Sequence, residues 1–444
     1  MLRGRDAGCG GLRRGGGRAA DLAGNLRLVR SSTVAGYGSA LVGFGTRHTL
    51  SDTASPKRGI GAARSWTQSR FEQIGRDCGG CLTVVMPSQT VTGEGVPKPA
   101  EIVDVVAIQK GSSDPERVIV LTGHIDSRVS DLMNATADAP GADDDASGVA
   151  VVIEAARILS RYKFPATIVY GVLSGEEQDL YGGKVLADYA KAKGWRVEAD
   201  LNNDIVGATR GQNGLVNNTR LRLFSEGTRD TETAEDAQRR RFEGGEDDSA
   251  SRNVARYAKA VAESYMPNWT VALVYRLDRF DRGGDHSAFN ALGMPAVRFT
   301  ENAENYLHQH QDLRMEGGVE YGDTLANIDF AYLAKVTATN TLAAASMASA
   351  PPPPANVKIN GGVTSDTQLS WTASRNSTVV GYRVYWRDTT EPAWTHSRDA
   401  GRGEALTLAN IAIDDFAFGV ASVSADGFES PVVFPGAAGA FWAH

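Results

Sequence analysis

Cysteine is scarce in this chain: Cys9, Cys78 and Cys81 are the three among 444 residues. That excludes a small scaffold stapled by disulfides. A zinc ribbon needs two Cys-x-x-Cys pairs, and Cys78-Gly-Gly-Cys81 stands alone. A thioredoxin-type redox pair would follow a strand and open a helix. Here Leu82-Thr-Val-Val-Met86, which reads as a strand, comes next. A local disulfide and a pair of free thiols both remain open, and a disulfide would favour an exported protein. No run of about 18 apolar residues occurs, so no segment reads as a transmembrane helix. Positive charge is not in excess either: 46 Lys+Arg against 53 Asp+Glu give −7, with no electrostatic footprint for nucleic acid. Residues 1–30 carry seven Arg and eight Gly but no apolar stretch of signal-peptide length. They read, up to about residue 35, as a disordered leader.

What is present is a globular composition, 42% hydrophobic and 22% charged. From Val118-Ile-Val-Leu121, a short run suited to a strand buried on both faces, strands and helices alternate. Residues 146–162 place Val149, Val152, Ile153, Ala156 and Leu159 on one helical stripe. Strands are expected at 166–174, 196–206, 270–276 and 295–300, and helices near 180–193, 252–265, 285–292 and 324–348. The class is α/β, a mainly parallel twisted sheet with helices on both faces. Residues 226–252, acidic around Arg239-Arg240-Arg241, interrupt the order as a solvated insertion or a lid. Pro351 to Pro354 read as a stiff linker over 350–355. Beyond it, Trp371, Gly381-Tyr-Arg-Val-Tyr-Trp386 and Phe416-Ala-Phe-Gly-Val420 are short alternating strands of a small all-β sandwich, residues 356–436. This tail resembles a fibronectin type III domain, with Phe418 where a tyrosine corner would stand.

Five short motifs carry the chemistry. Gly123-His-Ile-Asp-Ser127 follows a strand, and Asp126 is placed to accept the second ring N–H of His124. Gly141-Ala-Asp-Asp-Asp-Ala-Ser-Gly148 enters a helix with three adjacent aspartates, which repel one another unless a cation neutralises them. Ser174-Gly-Glu-Glu-Gln178 and Asn202-Asn-Asp-Ile205 lie at two further strand ends, and Tyr306-Leu-His-Gln-His-Gln-Asp312 follows the last strand. The carboxyl ends of parallel strands meet at one sheet edge, which gathers these residues into one cleft. Mixed imidazole and carboxylate donors suit zinc, with cobalt or manganese as substitutes. Two His with three carboxylates fit a two-metal site with one bridging carboxylate.

In order and spacing these motifs resemble the M28 family of zinc peptidases, the bacterial leucyl-aminopeptidase type, over about residues 40–348. Phe44-Gly-Thr-Arg-His48 and Arg58-Gly-Ile-Gly-Ala-Ala63 resemble its N-terminal segment, so residues 36–349 are expected to form a dizinc peptidase domain. The resemblance implies two zinc ions, His124 and Asp204 on one, Glu177 and His308 on the other, with Asp144 bridging. His308 is preferred to His310 because the family's ligand stands four residues before the aspartate, here Asp312. Glu176 matches the general base and Asp126 the carboxylate that orients His124. The peptide bond after Asp144 is expected to be cis. Asp285, before His286, would position substrate or a ligand unless it is an ordinary helix cap, and Tyr306 and Leu307 would line the side-chain pocket.

The expected reaction is hydrolysis of the N-terminal peptide bond of peptides with a free amine, which an acidic cleft would attract. A carboxypeptidase or dipeptidase needs a basic anchor for the substrate carboxylate, and no arginine cluster stands beside the motifs. A glutaminyl cyclase would fit the Glu pair and aspartate triplet less well. A non-catalytic binding protein working through the β sandwich is argued against by the complete ligand set. The resemblance and the cysteine pair favour a secreted or periplasmic protein, and a monomer is expected.

Overall fold

The computed structural model describes residues 28–442. The expected leader at 1–35 thus falls mostly outside the described residues, and its last five residues belong to helix Ser31–Val42. Val34, Gly38 and Leu41 recur there at helical spacing and are buried. A second N-terminal helix spans Gly59–Asp77.

The strands are β1 (Leu82–Val85), β2 (Ser88–Gly93), β3 (Val96–Val103), β4 (Val105–Gln109), β5 (Asp114–His124), β6 (Ala166–Leu173), β7 (Arg196–Asn203), β8 (Arg220–Ser225), β9 (Thr270–Val274) and β10 (Ala296–Glu301). Eight of them form one sheet in the order β1-β4-β6-β5-β7-β10-β8-β9, while β2 and β3 pair separately. The central run β6-β5-β7-β10 is parallel throughout, and β1, β4 and β8 join antiparallel. Successive side chains of β5 alternate between two cores. Ile119 and Leu121 pack with helices Ala146–Leu159 and Phe330–Ser349. Val118 and Val120 pack with Leu186 and Ala190 of helix Tyr181–Ala192 and with Phe289 of helix His286–Ala291. The continuous apolar runs of β5 and β6 follow from this double burial.

Strand β8 was not anticipated, although Arg220-Leu-Arg-Leu-Phe-Ser225 alternates as an edge-type strand does. Within the 226–252 interruption, helix Ala234–Glu243 has no buried residue, whereas Asp248 and Ser249 just after it are buried. Cys78 and Cys81 are joined as a disulfide.

After the hairpin β11 (Arg314–Glu316) and β12 (Val319–Tyr321), the long helix Phe330–Ser349 leads to Pro351–Pro354. These four prolines are buried rather than an exposed spacer. The tail holds β13 (Ala355–Asn360), β14 (Thr367–Thr372), β15 (Val379–Asp388), β16 (His396–Gly401), β17 (Ala405–Leu408) and β18 (Phe416–Ser424). They make two three-stranded antiparallel sheets, β13-β14-β17 and β16-β15-β18. Leu369, Trp371, Tyr382, Val384, Phe418 and Val420 are buried between them. The tail is fixed to the α/β body by Arg387, whose Nη2 donates to both carboxylate oxygens of Asp248 at 2.8 Å.

Candidate metal centre

Four parallel strands end along one edge of the sheet, and each delivers a polar side chain there. His124 is the last residue of β5 and Asp204 the first after β7. Glu176 and Glu177 open a four-residue helix just beyond β6, and His310 lies on the segment following β10. Asp144 comes from the loop that enters helix Ala146–Leu159, next to a cis Asp144–Asp145 peptide bond, as the resemblance implied.

Asp144 sits between two imidazoles. Its Oδ1 is 3.1 Å from His124 Nε2 and its Oδ2 is 2.9 Å from His310 Nε2. Asp204 Oδ1 lies 3.8 Å from His124 Nε2, and Glu177 Oε2 lies 3.0 Å from His310 Nε2. Two donor triads result, His124–Asp144–Asp204 and Asp144–Glu177–His310, each with its donor atoms within 4.8 Å of one another. His124 Nε2, Glu177 Oε1 and Asp204 Oδ1 are buried without a hydrogen bond. Buried polar atoms left so are costly. Imidazole and carboxylate donors converging in this way fit zinc.

The electrostatics express the same crowding. Burial disfavours the charged form of His310, but Glu177 and Asp144 outweigh it and hold the imidazole up at about 10. His124 is likewise raised, its burial overcome by Glu176, Asp126, Asp144 and Asp204. Burial, together with the neighbouring charges of Asp204 and Glu177, pushes the Glu176 carboxyl well above the usual range. Asp204 is held low against its burial, chiefly by Arg298, whose Nη2 is 2.8 Å away.

Residues outside the triads hold them in place. Asp126 accepts the backbone N–H groups of Glu177 at 3.1 Å and Glu176 at 3.4 Å, and the Thr49 hydroxyl at 3.1 Å. It thus ties the end of β5 to the Glu pair. Its contact with His124 is looser, 3.6 Å from Oδ1 to Nδ1, with its own carbonyl 3.2 Å from the ring nitrogen. Asp145 caps helix Ala146–Leu159 through Gly148 N and accepts the N–H of His124. Gly148 packs so tightly that a Cβ there would lie 2.3 Å from the Asn203 carbonyl. The buried Arg47 guanidinium donates to the carbonyls of Ile125, Pro140 and Gly141, spanning the loop between the first two motifs. Asp323 accepts the backbone N–H groups of Asp143 and Asp144.

The expectation for His308 is corrected. Two residues from His310, it is half-buried and lies 3.3 Å from Asn305 Nδ2, outside both triads. The chain here is a turn, and His310 adopts the left-handed region at φ 52°, uncommon outside glycine. The turn, and not a spacing counted from Asp312, decides which imidazole faces Asp144. Three residues expected at the substrate site stand away from the adjoining cavity. Asp285 precedes helix His286–Ala291 but is fully buried, accepting Gly183 N–H at 2.9 Å. Tyr306 is 56% exposed. Neither these two nor Leu307 lines the cavity of about 310 Å³ that opens on the triads. That cavity is lined instead by Glu176, Asp179, Leu180 and three arginines, Arg128, Arg279 and Arg282. A basic cluster therefore stands at the site after all; Arg279 and Arg282 arrive from a loop distant in sequence.

A family model for peptidase family M28 matches residues 104–317. A probable zinc metalloprotease of Leptosphaeria maculans is 44% identical over 410 residues, covering 92% of this chain and 95% of the relative. The chain belongs to peptidase family M28. A second relative, a probable zinc metalloprotease of Pyricularia oryzae, is 42% identical over 424 residues, 94% of this chain and 84% of that one. Among solved structures, the M28 fold seen here is similar to the LapA aminopeptidase of Legionella pneumophila. The TM-score is 0.55 at 17% identity, over 76% of this chain and 74% of that one. A leucine aminopeptidase precursor from Bacteroides thetaiotaomicron gives a TM-score of 0.50 at 17% identity, over 71% of this chain and 97% of the other. At such identity the likeness of this M28 chain to both is one of fold.

Proposed function

We propose that the protein is a dizinc aminopeptidase that removes the N-terminal residue from peptides. The observation that carries this reading is the sharing of Asp144 between two three-donor groups, with Glu176 on the wall of the adjoining cavity. His124 and Asp204 would hold one zinc, Glu177 and His310 the other, and Asp144 would bridge. Bound zinc supplies Lewis acidity toward a carbonyl oxygen and makes a nearby water more acidic. Glu176, its proton affinity raised by burial, takes a proton from the attacking water and returns it to the leaving amine. Asp126 positions this base through its backbone N–H. The solved structures of similar fold that are named aminopeptidases support the choice of exopeptidase.

The C-terminal sheets are read as a fibronectin type III-like module without a catalytic role. The Cys78–Cys81 disulfide favours a secreted protein, acting as a monomer.

The test is a pair of assays on zinc-loaded protein, with a leucyl peptide and its N-acetylated form. Free leucine should appear from the first alone and cease with chelator. Equal cleavage of both would remove the aminopeptidase reading.

A further inference from the structure

Three arginines reach the catalytic cavity, and they differ in what they are already bound to. Arg279 is consumed: its Nε lies 3.2 Å from Asp278 Oδ1 and its Nη1 lies 3.1 Å from Glu304 Oε2. Arg282 is partly engaged, with Nη1 3.1 Å from the Gln309 amide oxygen and 3.4 Å from Glu304 Oε2. Arg128 has no carboxylate within ion-pair distance among the described residues. Its Nε and Nη2 donate only to the neighbouring carbonyls of Val129 and Ser130, at 3.1 and 3.3 Å. Its Nη1 makes no hydrogen bond among the described residues. Asp144, Glu176, Glu177, Asp179 and Asp204 line the same cavity, and none of them forms an ion pair with Arg128.

The free edge of the Arg128 fork is open to the cavity and not buried, so it can take a ligand, and a carboxylate is the group that fork matches best. Arg128 is also fixed in place: two of its nitrogens are tied to its own loop, and Arg47 clasps that loop at Ile125, Pro140 and Gly141. A guanidinium held half-buried on the wall of a reaction cavity is prepared for a ligand.

We propose that Arg128, assisted by Arg282, is a specificity-determining clamp for a substrate carboxylate beside the scissile bond. The favoured substrates are then short peptides with a free C-terminus, or peptides with an acidic residue at the cleavage point. Both supply the same group to the same fork. The inference rests on the peptidase reading above, and its test separates the two.

Reduced-bond analogues, with CH2–NH in place of the scissile amide, bind without being cleaved. Calorimetry on the zinc-loaded full chain compares Leu–Ala, Leu–Glu amide and Glu–Ala amide analogues with the neutral Leu–Ala amide analogue. At least one carboxylate form should bind tenfold or more tightly than the neutral one. That form identifies the source: the C-terminus, the leaving residue or the N-terminal residue. In Arg128→Gln the ratio should fall toward one, in Arg128→Lys it should be partly kept, and in Arg282→Gln it should be reduced. Equal binding of all four analogues by the wild type would overturn the clamp, as would an unchanged ratio in Arg128→Gln. The cleavable peptides, run in parallel, report on the other reading. Cleavage without a carboxylate preference removes the clamp and leaves the peptidase. A binding preference without cleavage keeps the clamp and removes the peptidase.

Discussion

The carboxylate of Asp323 accepts the backbone N–H of Asp144 at 2.8 Å, so the residue shared by both donor triads is held from a point far along the chain. The same carboxylate receives Asp143 N–H at 2.9 Å with each oxygen. Asp323 gives no donor atom to either triad, yet its side chain sets where Asp144 stands. Asp323→Ala should weaken zinc binding about 10- to 100-fold, the usual effect of losing a group that orients a ligand. A competition titration with a chromophoric chelator measures this, and unchanged affinity would show that the loop holds its shape unaided.

His310 and His308 make a clean pair. His310→Ala should lower bound zinc from two ions per chain to one and abolish turnover, while His308→Ala should keep both ions. Elemental analysis of the dialysed variants decides between them, and the reverse pattern would restore His308 as the ligand.

Glu176→Gln keeps the shape of the side chain and removes its ability to carry a proton. The kcat should fall by about 10²- to 10⁴-fold, with zinc content unchanged. A fall of less than about tenfold would move the base elsewhere.

Zinc uptake should depend on pH in a definite direction. With His310 held up at about 10 by Glu177 and Asp144 despite burial, the metal-free imidazole is protonated at neutral pH. Zinc must displace that proton, so affinity rises as pH rises, by about tenfold per unit for each proton released. Calorimetry in buffers of different ionisation enthalpy counts the protons. None released at pH 7 would contradict the charged state.

The contact between the tail and the α/β body is open to a stability measurement. Asp248 receives Arg387 at 2.8 Å and Arg256 at 2.8 Å, with every one of these side chains at most 5% exposed. Asp248→Ala would leave two buried guanidinium groups without their shared partner, costing about 3–5 kcal/mol. Urea unfolding checks it, and a change under about 0.5 kcal/mol would mean the contact is not formed in solution.

The central sheet was legible because β5 and β6 are buried on both faces and read as continuous apolar runs. The strand-end motifs were legible because they stand beside those runs. Helix Ser31–Val42 was missed because its small residues, Gly36, Gly38 and Ala40, imitate the glycine-rich leader before it. His310 could not be chosen by counting residues, since a left-handed turn separates it from the strand. Asp323 and Arg47 act through contacts distant in sequence, and spacing carries no record of those. One such residue did leave a signal: Arg298 interrupts Ala296-Val-Arg-Phe-Thr-Glu301, a wholly buried strand, and a charge there requires a partner. Its partners are Asp204 and Asp278.

The four buried prolines between the long helix and β13 have a practical side. A protease searching for a hinge at 351–354 would find no accessible backbone, so limited digestion should not separate the C-terminal sheets from the catalytic half. Shortening the chain at that point would strip cover from Asp248 and Arg256, and the truncated product would be prone to aggregate. The two halves are therefore expected to be kept and degraded as one piece.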